Sequence, residues 1–282
     1  MKYLRLLRLG DHYVNIAIIL ASSVYLQRFG SWTIWWIIAT TLISISTFVV
    51  NEIIDRNDVD TYSWNPVHIG SNTKLNMKIV WFIILATSLS GIIFSLLAGF
   101  LWWGIAMLLV GMVYSIPPFR FKGTFGVDII AQVASFFFIP VAAPLFYYGD
   151  TQSVFIYIMP MMFLIWAGVF PYQLADYESD RKAGLRPTHV VIGLKASLWL
   201  GIAIAFIGIM SYFILKLYTV AWWTAPLLFF TAFALYKYYV WLKTVSAKAT
   251  FASMQAYVRL IRPLSELFLP YLILIMLIGH RA

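Results

Sequence analysis

The sequence contains no cysteine and few charged residues. Charged side chains make up 11% of the 282 residues, whereas in soluble domains they make up about a quarter. The missing cysteines exclude a disulfide framework, a thiolate nucleophile and any metal site built on sulfur. The redox compartment is therefore undetermined. The shortage of charge, together with 62% apolar residues, indicates an integral membrane protein.

Long apolar runs recur along the whole chain. A bilayer core of about 30 Å needs roughly 20 helical residues. We divide the uncharged stretch 79–116 at Ala98–Phe100, because one helix of that length would overshoot the membrane about twofold. We expect an all-α membrane protein with one domain over residues 1–282. Its nine predicted transmembrane helices lie near Tyr13–Gln27, Trp32–Asn51, Ile79–Gly99, Leu101–Tyr114, Val127–Tyr148, Val154–Asp176, Leu194–Leu217, Thr219–Val240 and Leu264–Ile278.

The basic residues are distributed unevenly over the predicted loops. With nine helices and a cytoplasmic amino terminus, 17 of the 20 Lys and Arg residues face the cytoplasm, and only Arg28, Lys216 and Arg281 lie outside. This bias follows the positive-inside rule. Topology and attraction to anionic membrane lipids account for the net charge of +9, so we expect no nucleic acid as a partner.

The acidic residues are concentrated in two segments, 51–60 and 176–180, each of which follows an apolar run. Together these segments hold seven of the eleven Asp and Glu residues. Carboxylates near hydrocarbon are costly and are functional candidates by default. In the second segment Asp176 and Asp180 are four residues apart, so they share a helix face.

The first acidic segment also has a polar face. On a helix advancing about 100° per residue, Asn51, Asp55 and Asp58 share one narrow face. Glu52 and Asp60 point elsewhere, which makes them weaker candidates. Carboxylate pairs on separate helices repel each other unless a cation neutralises them. Mg²⁺ suits such hard oxygen ligands and completes its shell with substrate phosphate oxygens. The predicted ligands are Asn51, Asp55, Asp58, Asp176 and Asp180.

Basic residues near both segments could bind the phosphates. Arg120 and Lys122 follow the fourth predicted helix, and Arg181 and Lys182 adjoin the second acidic segment. Cations of this kind can reach the non-bridging oxygens of a diphosphate. The alternative is that the acids are solvated loop charges that balance basic neighbours such as Arg56.

These segments resemble the aspartate-rich motifs of the UbiA superfamily of intramembrane prenyltransferases. Asn51–Asp55 is similar to the start of the first motif, Asn-Asp-x-x-Asp-x-x-x-Asp, with glutamate at the second position. Asp176–Gly184 is similar to the second motif, Asp-x-x-x-Asp, with its basic pair and glycine. Tyr114–Lys122 looks like the family's Tyr-Ser-x-x-Pro-x-Arg-x-Lys loop, and Thr188–Gly193 resembles the stretch after the second motif.

The resemblance implies a bundle around a central cavity, capped on the cytoplasmic side by the loops after helices two and six. It implies Mg²⁺-dependent transfer of an isoprenyl group from an allylic diphosphate to an aromatic or lipid acceptor, with Tyr114 among the diphosphate-binding residues. The chain departs from the family pattern at three places. The first motif's last aspartate falls on Val59, the loop Asn65–Gly70 lacks an arginine, and Tyr172 and Gln173 stand where asparagines are common.

Two other functions stay open at this point. A terpene cyclase of the same superfamily would ionise the diphosphate without an acceptor. The absence of an arginine from the loop Asn65–Gly70 is compatible with that alternative. An ion-coupled transporter would place its acids near the middle of the membrane. Asp128 is expected to stabilise a helix end. His68 is the one histidine that merits a test.

Overall fold

The computed structural model describes residues 3, 6–8, 12–56, 74–149, 151–245 and 248–279, and the regular secondary structure among them is helical. Short 3₁₀ turns lie at Phe121–Gly123 and Trp222–Thr224, and a π-helical turn at Ala134–Phe138 joins α5 to α6. The helices are α1 (Tyr13–Tyr25), α2 (Ser31–Asp55), α3 (Met77–Leu97), α4 (Leu101–Ser115), α5 (Val127–Val133), α6 (Ile139–Tyr148), α7 (Thr151–Ala175), α8 (Tyr177–Lys182), α9 (Thr188–Ile192), α10 (Leu194–Ile214), α11 (Leu217–Val220), α12 (Ala225–Thr244), α13 (Lys248–Glu266) and α14 (Phe268–Gly279).

The described helices confirm an all-α, multi-pass membrane protein. Six continuous helical stretches among the described residues are long and apolar enough to cross a bilayer, and Val127–Tyr148 joins α5, the π-helical turn and α6. They are Ser31–Asp55, Met77–Leu97, Val127–Tyr148, Val154–Ala175, Leu194–Ile214 and Trp222–Thr244. The predicted spans Tyr13–Gln27 and Leu101–Tyr114 correspond to shorter apolar helices, at Asn15–Tyr25 and Leu101–Ser115. The ninth, Leu264–Ile278, contains a turn at Leu267 between α13 and α14. The count of nine full-length spans is therefore not confirmed.

The predicted division between the third and fourth spans is confirmed. Gly99 adopts a left-handed backbone conformation, with φ 82°, directly after α3. The N–H of Phe100 donates to the carbonyl of Ser95 at 2.8 Å, and the N–H of Gly99 donates to that of Leu96 at 3.0 Å. Glycine ends a helix in this way because it has no Cβ to clash in the left-handed region. The chain can then turn back into α4.

The chain forms two compact units, and the first comprises residues 1–144 and 178–187. In it α2 packs most extensively along α3 and also contacts α1 and α4. Small residues allow the close approach, as is common between membrane helices. A Cβ added at Gly91 would lie 2.7 Å from Cγ1 of Ile43, and one added at Gly104 would lie 2.1 Å from Oγ of Ser95.

Trp36 satisfies a backbone group in the same unit. Pro144 has no N–H, so it cannot donate to the carbonyl four residues earlier, which belongs to Pro140. The buried indole Nε1–H of Trp36 donates to that carbonyl at 2.9 Å. Because hydrocarbon offers no water to satisfy a freed carbonyl, this contact removes a cost of several kcal/mol.

The second unit comprises residues 145–177 and 188–282. Its central helix is α7, which contacts α10, α12 and α13. Aromatic side chains join α12 to α13. The Tyr257 ring stacks on Phe233 with centroids 5.7 Å apart, and Nε1 of Trp241 donates to Oγ of Ser253 at 3.0 Å. The sequence analysis did not predict α13, because its apolar residues occupy one face only and form no continuous run.

Candidate functional site

Asp55, the last residue of α2, is held by two cationic side chains. It is only 4% exposed. The guanidinium of Arg120 donates to its Oδ1 at 3.3 Å, and the ammonium of Lys122 contacts the same oxygen. Lys122 is also largely buried. The first acidic segment and the basic loop after α4 therefore meet in the first unit.

The backbone of the loop after α4 brings both cations to one side. Arg120 is in the left-handed region, with φ 36°, which is uncommon for a residue with a side chain. Its N–H donates to the carbonyl of Ile116 at 3.0 Å, and its own carbonyl accepts the N–H of Gly123 at 2.9 Å. This tight turn lets residues 120 and 122 reach the same carboxylate. Strained backbone of this kind is often found at functional sites.

Asn51 lies one helical turn before Asp55 and contacts the end of α4. Oγ of Ser115 donates to Oδ1 of Asn51 at 2.7 Å. Asn51 and Asp55 therefore both contact one neighbouring segment, 115–122. Sequence reasoning assigned no role to Ser115, although it stands in the Tyr-Ser motif. Tyr114, the preceding residue, is half-buried.

The segment that follows the second acidic motif packs against the basic loop. The N–H of Arg186 donates to the carbonyl of Gly123 at 3.3 Å, and Thr124 and Arg186 form a parallel β-bridge. A Cβ added at Gly123 would lie 3.1 Å from Cδ2 of Leu185, so the glycine permits this contact. Residues 178–187 thus belong to the same compact unit as Asp55.

The predicted residues of the second motif differ in their surroundings. Asp180 is half-buried, and Arg181 and Lys182 are exposed. Lys182 makes a 3.9 Å ion pair with Glu178 in which both side chains are more than half exposed. Asp176 lies in the second unit, at the turn after α7, where its N–H donates to the carbonyl of Gln173 at 3.2 Å.

Some predicted positions lie outside the described residues. They include Asp58, the predicted third ligand of the first segment. The others are Val59, Asp60, His68 and the loop Asn65–Gly70. Asp128 is described and buried in the first turn of α5, where the helix dipole favours a carboxylate.

The donor set and the local charge fit Mg²⁺ together with an anion. Asp55 contacts two cationic side chains, those of Arg120 and Lys122, and cations of this kind can bind a phosphate. Among the described residues, no three His, Asp or Glu side chains are grouped closely enough to hold a metal ion. Mg²⁺ commonly binds through one or two carboxylates and the phosphates of its substrate, so it does not need such a cage.

Glu52, in the same last turn of α2, pairs with Arg8. The guanidinium donates to its Oε2 at 2.8 Å, and Glu52 is 2% exposed. Sequence reasoning gave Glu52 no role and missed Arg8. The two residues are 44 positions apart, so no local periodicity could have linked them.

Comparisons with known proteins agree with the motifs and the fold. Two matching structures are of a UbiA homologue from Archaeoglobus fulgidus. The one bound to DMAPP and Mg²⁺ has a TM-score of 0.70 and 19% identity, covering 98% of this chain and 99% of that one. The one bound to GPP and Mg²⁺ has a TM-score of 0.65 and 18% identity, with the same coverage. The apo structure of a UbiA homologue from Aeropyrum pernix K1 has a TM-score of 0.63 and 14% identity, covering 94% and 97%.

At these identities the likeness shows a shared fold. Comparison with curated proteins gives no match. The profile of the UbiA prenyltransferase family matches residues 14–260, which is most of the chain. The chain therefore belongs to the UbiA prenyltransferase family.

Proposed function

We propose that this protein transfers an isoprenyl group from an allylic isoprenyl diphosphate to an aromatic or lipid acceptor within the membrane, with Mg²⁺ as cofactor. The observation that carries the proposal is the buried contact of Asp55 with Arg120 and Lys122. It joins the first acidic motif to the basic loop, and the UbiA homologue from Archaeoglobus fulgidus binds DMAPP together with Mg²⁺.

The reaction breaks the bond between the allylic carbon and the diphosphate oxygen. The diphosphate departs with the electron pair, the acceptor attacks the allylic cation, and the acceptor loses a proton. Negative charge develops on the departing diphosphate, and positive side chains aimed at that charge lower the barrier. Arg120 and Lys122 are the described residues that support this role best. Tyr114, Arg181 and Lys182 are assigned to the same role from the motifs.

The carboxylates have the complementary task of holding the cation. We assign Mg²⁺ binding to Asn51, Asp55, Asp58, Asp176 and Asp180. When bound, Mg²⁺ supplies Lewis-acid stabilisation of charge on the diphosphate oxygens. Asp55 is preorganised for this task by burial and by its ion pairs, and Ser115 orients the Asn51 amide. A diphosphate would give the two cations an anionic partner in place of Asp55.

We propose that the two units form a single domain over residues 1–282, and that the amino terminus and the site face the cytoplasm. The orientation is supported by the uneven distribution of Lys and Arg. An isoprenoid tail is itself soluble in the bilayer, so an enzyme embedded there can meet its substrate without extracting it into water.

The test is turnover by the purified protein in detergent or nanodiscs. Labelled DMAPP, GPP and longer allylic diphosphates are supplied with Mg²⁺ and a panel of aromatic and lipid acceptors, and diphosphate release and prenylated product are both measured. We expect product only with an acceptor present, and loss of both signals in Asp55→Ala. Diphosphate release that persists in an Asp55→Ala/Asp176→Ala variant would contradict the proposed site.

The same assay separates the two rival functions. A cyclic hydrocarbon formed without an acceptor would identify a terpene cyclase. A transporter would show cation-dependent flux in liposomes without diphosphate release. Its acids are expected near the middle of the membrane, but Asp55 ends α2, and Asp176 follows the end of α7.

A further inference from the structure

The amino-terminal segment links the end of α2 to the beginning of α3. Leu6 belongs to one buried apolar cluster with Val49 and Val50 of α2 and with Val80 and Ile84 of α3. The hydroxyl of Tyr3 accepts the backbone N–H of Asn76, the residue that caps α3, at 3.1 Å. The segment therefore contacts the helix that ends with Asp55 and the helix that follows it in the chain.

Arg8 extends this link to the last turn of α2 through a buried ion pair. Its side chain is 11% exposed and that of Glu52 is 2% exposed, with 2.8 Å between Nη2 and Oε2. The guanidinium also lies over the Phe48 ring, 5.4 Å from its centroid, and Phe48 stacks on Phe136 of the π-helical turn. The arginine is thus fixed by aromatic packing as well as by charge.

The position of Glu52 on α2 makes this pair relevant to the site. Glu52 comes directly after Asn51 and three residues before Asp55, so all three lie on the same turn. A carboxylate buried without its cation is strongly unfavourable, and it must find another cation or take up a proton. Either change alters the turn that presents Asn51 and Asp55.

We propose that Arg8 is a positioning residue. By neutralising Glu52 it holds the last turn of α2 in the orientation in which Asp55 faces Arg120 and Lys122, and Glu52 serves as the anchor of that turn and is not a metal ligand. The effect on turnover rests on the proposed function. The effect on the local structure does not.

The test combines hydrogen exchange with kinetics on four variants of the full chain. They are Arg8→Gln, Arg8→Lys, Glu52→Gln and the double variant Arg8→Gln/Glu52→Gln. Two exposed residues that are assigned no part in binding provide the controls, Arg28→Gln and Glu178→Gln. Exchange is followed over residues 50–56 without substrate, and the KM for the donor and the half-saturating Mg²⁺ concentration are measured separately.

We expect Arg8→Gln to speed exchange over residues 50–56 by about tenfold or more, and to raise the KM and the half-saturating Mg²⁺ concentration by about tenfold, because one partner of a buried pair has been removed. Arg8→Lys keeps the charge and should be affected less. The double variant leaves no buried charge unpaired, so its exchange and its Mg²⁺ requirement should return toward those of the wild type. Both controls should match the wild type.

Three results would overturn the proposal. Glu52→Gln could raise the Mg²⁺ requirement more than Arg8→Gln and leave exchange unchanged, which would make Glu52 a ligand. Arg8→Gln could reduce turnover without faster exchange and without recovery in the double variant, which would make Arg8 a substrate contact. Faster exchange in Arg8→Gln with an unchanged KM and Mg²⁺ requirement would show that the pair stabilises the fold without positioning the site. If the wild type turns over no donor, the proposed function fails, and hydrogen exchange still decides whether Arg8 holds the turn.

Discussion

The hydroxyl of Tyr238 in α12 donates a 2.8 Å hydrogen bond to the carbonyl oxygen of Ala167 in α7. Pro171 lies four residues after Ala167 and has no N–H to donate to that carbonyl. In the same way, the indole N–H of Trp36 donates to the carbonyl oxygen of Pro140, which has no backbone donor because Pro144 lacks an N–H. In two long apolar helices, a side chain of a neighbouring helix supplies the hydrogen bond that a proline removes. This arrangement meets the requirement that backbone groups in hydrocarbon be satisfied within the protein.

Removing the Tyr238 hydroxyl should destabilise the protein. We expect Tyr238→Phe to lower the free energy of unfolding by about 1–3 kcal/mol, because it leaves a buried carbonyl without its donor. Adding Pro171→Ala should recover much of the loss, since alanine restores the N–H. The melting temperature in detergent measures both effects. Tyr239→Phe changes an exposed neighbour and should be neutral. Additive losses without recovery would contradict this account.

Adding a methyl group at Gly104 should also destabilise the fold. A Cβ at position 104 in α4 would lie 2.1 Å from Oγ and 2.5 Å from Cβ of Ser95 in α3, so α3 and α4 would have to separate. We expect Gly104→Ala to cost about 1–3 kcal/mol, as overpacking usually does, and Ser95→Gly to relieve it. Gly168→Ala is the control, because nothing lies within 4 Å of its added Cβ. A similar drop in melting temperature for both alanine variants would refute the packing argument.

Neutralising Asp55 should strongly reduce turnover. We expect Asp55→Asn to reduce turnover by about 100-fold or more, the scale on which loss of one key electrostatic group acts. The measurement is Mg²⁺-dependent release of diphosphate from an allylic donor. Glu178→Gln changes an exposed acid in the same manner and should retain full activity. Near wild-type turnover in Asp55→Asn would rule out its assigned role.

Lys122 should contribute mainly to binding of the diphosphate. A hydrogen bond to a charged group is worth about 1.5–3 kcal/mol, so Lys122→Met should raise the KM for the donor about tenfold or more. Lys122→Arg, which keeps the charge, should show a smaller change. Lys195→Met removes an exposed lysine elsewhere and serves as the control. An unchanged KM in Lys122→Met would show that this lysine does not bind the diphosphate of the donor.

Asp176 and Asp180 should act together in metal binding. Replacing either with asparagine should raise the Mg²⁺ concentration needed for half-maximal turnover, because the metal site then loses one charged oxygen ligand. Glu178→Gln, which lies between them and points elsewhere, should leave this concentration unchanged. The titration is read as diphosphate release against Mg²⁺ concentration. A matching rise in all three variants would indicate a general charge effect and contradict specific ligation.

The sequence was sufficient for the membrane class, most of the helices and the family. Composition and apolar run length depend only on local order along the chain, which is why α2, α3, α7 and α10 were predicted close to their observed bounds. It was not sufficient for α13, whose apolar residues lie on one face. The turn at Leu267 was also missed, since an apolar run looks the same whether or not a helix bends within it.

Part of the candidate site is likewise predicted by the sequence, and part depends on the tertiary structure. The motifs predict which residues carry the chemistry, and helical periodicity separates Asp55 from Glu52. Only tertiary structure decided their partners: Lys122 and Arg120 for Asp55, Ser115 for Asn51, and Arg8 for Glu52. Each of these contacts joins residues 44 or more positions apart in the chain. Such pairings depend on how helices pack and where loops turn, so they cannot be predicted from the order of residues within one helix.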